Sequence, residues 1–85
     1  MPEITIYASA LCPYCRWARS LLEQKQVEYT LLDVDRNPGL RQEMQQRAQR
    51  TSVPQIFIGD LHVGGYDDLA ALDRKGELDP LLQAD

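Results

Sequence analysis

Glu3-Ile-Thr-Ile-Tyr-Ala-Ser-Ala-Leu-Cys-Pro-Tyr-Cys15 is the stretch whose reading decides the fold. Glu3 to Tyr7 is rich in β-branched and aromatic residues and reads as a short strand. Small turn-forming residues follow at Ala8, Ser9 and Ala10. Pro13 then suits the first turn of a helix, where its missing N–H leaves nothing unpaired. Ala18, Leu21 and Leu22 extend one apolar stripe through about Gln26. Cys12 and Cys15 therefore stand where a strand hands over to a helix.

That placement gives the two thiols their meaning. A bridge between them closes too short a loop to add much stability, so the pair reads as chemical rather than structural. A structural zinc site needs four ligands, and the chain offers these two thiols and one distant histidine, His62. A pair of inert buried thiols is the other bland alternative. A dithiol redox motif fits the context best. A thiolate rather than a thiol attacks a disulfide, and a free cysteine is mostly protonated at neutral pH. Unpaired amides at a helix N-terminus favour an anion. Cys12 is thus the expected nucleophile and a good leaving group. Cys15, one turn further in, is the expected buried thiol that resolves a mixed disulfide.

Working outward, Glu28 to Asp33 reads as a second strand. Asn37-Pro38-Gly39 is a turn and helix start, followed by Leu40, Met44 and Ala48 at four-residue spacing. Met44 is a core position, and the segment Thr51 to Pro54 ends that helix. Gln55 to Ile58 and Leu61 to Val63 form a hairpin about Gly59-Asp60. Gly64-Gly65 breaks the return strand. Asp67 or Asp68 then caps a helix running to about Lys75, with Leu69 and Leu72 inward. Pro80 to Gln83 reads as a last helical turn, and Glu77 to Asp85 as an acidic, solvated face. The order β-α-β-α-β-β-α predicts an α/β fold with a mixed four-stranded sheet flanked by helices, the thioredoxin-like arrangement. The first two strands are parallel through a right-handed crossover.

The length of 85 residues sets one domain, residues 1–85. The net charge of -4 makes nucleic acid a poor partner. No stretch approaches the roughly 18 apolar residues of a spanning helix, so no membrane role is expected. The chain does not open on a basic segment followed by an apolar one. The expected location is therefore cytoplasmic.

Four segments together carry a family resemblance: Cys12-Pro-Tyr-Cys15, Thr51-Ser-Val-Pro-Gln-Ile-Phe-Ile58, Gly64-Gly-Tyr-Asp-Asp-Leu69 and Leu78-Asp-Pro-Leu-Leu82. The chain resembles the dithiol glutaredoxins, and among them the bacterial glutaredoxin 3-like group, almost end to end. The resemblance implies a glutathione-dependent thiol–disulfide oxidoreductase with catalytic Cys12 and Cys15. Glutathione would be its reductant, and no metal is expected. Implied partners are glutathionylated or disulfide-containing proteins, ribonucleotide reductase among them, met by a monomer. Glutathione contacts are implied for Tyr14, Arg41, Ser52, Val53, Pro54, Gly65, Tyr66, Asp67 and Asp68. Val53-Pro54 would be a cis peptide, and the Val53 backbone would pair with the cysteinyl group of glutathione. Gly64-Gly65 would let backbone approach the ligand without a Cβ in the way. Amides near Asp67 and Asp68 would hold its γ-glutamyl carboxylate, and an Asp carboxylate its ammonium. Arg41 is the candidate for the glycyl carboxylate, and Arg16 for positive charge near the sulfur. Ser9 departs from the family, which often has a lysine there. His62 is expected to be exposed, and Trp17 to pack at the cleft edge. Two other readings are a thioredoxin substitute reduced by a flavoprotein and a dimeric carrier of an iron–sulfur cluster. The Gly-Gly-Tyr-Asp-Asp stretch argues against the first, and the second cysteine with Pro13 against the second.

Overall fold

The computed structural model describes residues 2–84. Four strands, β1 (Ile4–Ala8), β2 (Thr30–Asp33), β3 (Gln55–Ile58) and β4 (Leu61–Gly64), form one sheet in the order β2-β1-β3-β4. β1 runs parallel to β2 and antiparallel to β3, and β3 pairs antiparallel with β4. The helices are α1 (Pro13–Gln24), α2 (Pro38–Ala48), α3 (Tyr66–Arg74) and α4 (Leu78–Gln83). The expected mixed sheet with flanking helices is present.

Strand alternation builds two cores. Ile4, Ile6 and Ala8 point to one face with Ile56 and Ile58, where Ala18, Leu22, Leu69, Leu78 and Leu82 cover them. Tyr7 and Phe57 point to the other face and pack with Val34, Met44 and Ala48. Thus α1, α3 and α4 lie on one side of the sheet and α2 on the other. Each apolar face is buried against a helix, which is what gives a two-faced sheet its stability.

Element ends differ from the sequence reading for local reasons. α1 stops at Gln24, and Gln26 has a left-handed φ of 60°. β2 starts at Thr30, not Glu28. Thr5 lies opposite Thr30, so extending the ladder would place Glu28 beside Glu3, two like charges. α2 ends at Ala48 because Gln49 takes the left-handed conformation, three residues before Ser52. α3 ends at Arg74, with Lys75 as its C-cap. The C-terminal segment is more than a solvated face. α4 begins at Leu78, and both Leu78 and Leu82 are buried. Asp85 of that segment lies outside the described residues.

Candidate active site

Pro13 at the first position of α1 leaves Cys12 as the N-cap, in extended conformation. Its sulfur accepts the Cys15 N–H at 3.1 Å. The sequence thus places a thiol where serine or aspartate would ordinarily cap a helix. On its other side, the Cys12 thiol meets the Val53 carbonyl oxygen at 3.7 Å. Cys15 lies behind, 2% exposed. Burial, followed by its contact with Cys12, pushes the Cys15 thiol up to about 12. The two sulfurs differ in setting: that of Cys12 is half-buried and hydrogen-bonded by an amide, and that of Cys15 is buried, which disfavours its charged form.

A cleft of about 150 Å³ lies on the Val53 side, lined by Tyr14, Arg50, Ser52, Val53, Pro54, Gly65, Tyr66, Asp67 and Asp68. Every expected glutathione contact except Arg41 lines it. Val53-Pro54 is a cis peptide, as the resemblance implies. Tyr14, Trp17 and Tyr66 form an aromatic rim. The Trp17 ring stands edge-on to Tyr14 at 5.1 Å and tilted to Tyr66 at 5.8 Å.

The cap of α3 differs from the expected one. Gly65, not an aspartate, is the N-cap. Asp68 sits three residues inside the helix, and its carboxylate accepts the Gly65 N–H at 2.9 Å. That bond, with Arg50 Nη1 at 3.3 Å, holds the Asp68 carboxyl below the usual range. Asp67 and Asp68 both occupy the first turn, where negative charge suits the helix dipole. The two glycines also divide their work differently. Gly64 has φ +115°, and a Cβ there would fall 2.3 Å from Asp68 Oδ2. Gly65 is roomier: its added Cβ would meet the Pro54 carbonyl at an ordinary 3.6 Å.

Arg41 lies outside the cleft lining and pairs with Asp35 at 3.0 Å. The Ser9 hydroxyl donates to the same carboxylate. Those two donors, Ser9 first, keep the Asp35 carboxyl below its ordinary value. Ser9 is thus linked, through Asp35, to Arg41. Arg16 is exposed. His62 is half-buried rather than exposed: its ring stacks on Phe57 at 4.9 Å and its Nε2 lies 2.7 Å from Gln55 Oε1. Burial and Arg50 hold its imidazolium form below the usual range.

Sequence reasoning missed Arg50 and Gln55. Arg50 and Asp68 are 18 residues apart on separate elements, so no local spacing marks their meeting. Gln55 reads as a strand-opening polar residue yet is fully buried. Among the described residues, no group of three or more His, Cys, Asp or Glu could hold a metal. No helix among them is long and apolar enough to cross a membrane.

Comparison with known proteins gives the family of the chain. The sequence profile of the family described as glutaredoxin matches residues 4–63. The chain is 51% identical over 83 residues to glutaredoxin 3 of Escherichia coli K12, covering 98% of this chain and 100% of that protein. The solution structure of a Brucella melitensis glutaredoxin superposes with a TM-score of 0.86 at 49% identity, over 98% of this chain and 90% of the other. A crystal structure of a buckwheat glutaredoxin–glutathione complex superposes with a TM-score of 0.88 at 26% identity, over 95% and 76%.

Proposed function

The chain belongs to the glutaredoxin family, in its bacterial glutaredoxin 3-like group, and is a glutathione-dependent thiol–disulfide oxidoreductase; from that premise we propose that it strips glutathione from glutathionylated proteins through Cys12 and reduces protein disulfides through Cys12 and then Cys15. The observation that carries this reading is the position of the Cys12 sulfur, 3.7 Å from the carbonyl of a cleft-lining residue, Val53. In this reading a glutathionyl group joined to Cys12 lies along that cleft.

In the first branch, the Cys12 thiolate attacks the glutathione sulfur of a protein–glutathione disulfide. The S–S bond breaks, the protein leaves as its thiolate, and Cys12 carries the glutathionyl group. A second glutathione thiolate attacks that group's sulfur and releases glutathione disulfide and the Cys12 thiolate. Cys15 takes no part. In the second branch, Cys12 attacks a protein disulfide, and the Cys15 sulfur, after losing its proton, displaces the protein thiolate. Two glutathiones then reduce the Cys12–Cys15 disulfide. Within the cleft, the α3 N-terminus suits the γ-glutamyl carboxylate, and the Asp68 carboxylate suits its ammonium. The buckwheat complex supports glutathione as the occupant. A monomer working as one domain in the cytoplasm, with ribonucleotide reductase among its substrates, completes the proposal.

Glutathione-coupled reduction of a glutathionylated peptide tests it. Wild type and Cys15→Ser are expected to turn over, and Cys12→Ser to be inactive. An active Cys12→Ser protein, or a wild type that glutathione cannot drive, overturns the proposal.

A further inference from the structure

Gln55 is the one polar side chain in the buried set among the described residues, with no measurable exposure. Burial of an amide is costly unless each of its groups is paired. Gln55 Nε2 donates to the Ser52 carbonyl at 3.0 Å and lies 3.3 Å from the Ser52 hydroxyl. A carbonyl can only accept, which fixes the orientation of the amide. Its Oε1 therefore faces His62, and the His62 Nε2, 2.7 Å away, must carry a proton. Stacking of the imidazole on Phe57 holds that ring in turn.

The Ser52 carbonyl is half of a peptide group whose other half is the Val53 N–H. The Ser52–Val53 bond is trans, so the two point in opposite directions from one rigid plane. Gripping the carbonyl from the interior turns the N–H outward, and Val53 lines the cleft. A carbonyl that accepts a hydrogen bond also makes its own amide a stronger donor.

We propose that Gln55, oriented by His62, is a positioning residue that clamps the Ser52–Val53 peptide and so aims the Val53 N–H at the peptide backbone of a glutathionyl substrate. The proposal rests on glutathione as the cleft's occupant. Gln55 touches no reacting atom; it acts through a backbone plane shared with the cleft.

The test uses one peptide in two mixed disulfides, one with glutathione and one with mercaptoethanol, which offers no peptide group to Val53. Single-turnover rates with reduced protein give the ratio of the two. Wild type is expected to prefer the glutathionyl substrate. In Gln55→Met, which conserves volume, that preference is expected to fall roughly two- to tenfold, the range set by one hydrogen bond, with the mercaptoethanol rate unchanged. Gln55→Glu, which turns an acceptor toward the Ser52 carbonyl, is expected to lose it likewise. Should Gln55→Met not fold, His62→Phe carries the test, with a smaller loss in the same direction. A folded variant that keeps the wild-type ratio overturns the clamp, as does one in which both rates fall together. A wild type with no preference overturns glutathione as the occupant instead.

Discussion

Cys12 and Cys15 are separated by one helical turn, and the hydrogen bond between the Cys15 amide and the Cys12 sulfur joins them at 3.1 Å. Burial disfavours the charge of the inner thiol and raises its pKa. This has a consequence for stability. Unfolding returns Cys15 to an ordinary thiol value near 9.0, against about 12 in the fold. Above pH 9 the unfolded chain therefore binds fewer protons than the folded one, and the equilibrium shifts toward unfolding as pH rises. The stabilisation is whole below pH 9 and is lost progressively toward pH 12. Chemical denaturation of reduced wild type and Cys15→Ala across this range is expected to show a steeper alkaline decline in wild type. Parallel declines would contradict the buried, protonated assignment. The same residue explains the expected division of labour. A thiol held protonated is a poor first attacker and serves only when a mixed disulfide is presented beside it.

At the scale of elements, the start of α3 shows how much of the site was legible and where legibility stopped. Gly64-Gly-Tyr-Asp-Asp68 signals a strand end and a helix start from sequence, because glycines and aspartates have distinct backbone roles there. Which residue caps is decided by where Asp68 reaches, and that depends on Gly64 leaving room for its carboxylate. Local pattern carries no such three-dimensional information. The redox motif was legible for the opposite reason: Cys12, Pro13 and Cys15 act within one helical turn. Gln55 and Arg50 were not, since their partners lie on other elements. Gly64→Ala is expected to lower stability by more than about 1 kcal/mol, through strain at positive φ and a displaced Asp68. Gly65→Ala is expected to keep near-wild-type stability yet weaken turnover of glutathionylated peptide, since the added methyl would stand beside the Pro54 carbonyl in the cleft lining. Thermal melts and steady-state kinetics on both variants check this. Equal melting temperatures would contradict the division between the two glycines.

The whole molecule sets those elements against a two-faced sheet, and α4 contributes more than its sequence suggested. Six residues with acidic neighbours read as surface, but Leu78 and Leu82 close the core over Leu22 and Leu69. Lys25 also ties α4 to α3 through Asp79 at 3.0 Å and Asp73 at 2.6 Å. Exposed ion pairs of this kind contribute little, so the leucines dominate. Leu78→Ala is expected to cost about 2–5 kcal/mol, enough to threaten a chain this small. A loss below about 1 kcal/mol in urea denaturation would show α4 to be peripheral. The fold thereby serves a single end: it keeps one sulfur at the mouth of a cleft and the second behind it. Mass spectrometry after incubation with glutathione disulfide tests that arrangement most directly. Cys15→Ser is expected to accumulate one glutathione on Cys12, and wild type to pass on to the Cys12–Cys15 disulfide. Glutathione found on Cys15 of Cys12→Ser at a comparable rate would contradict it.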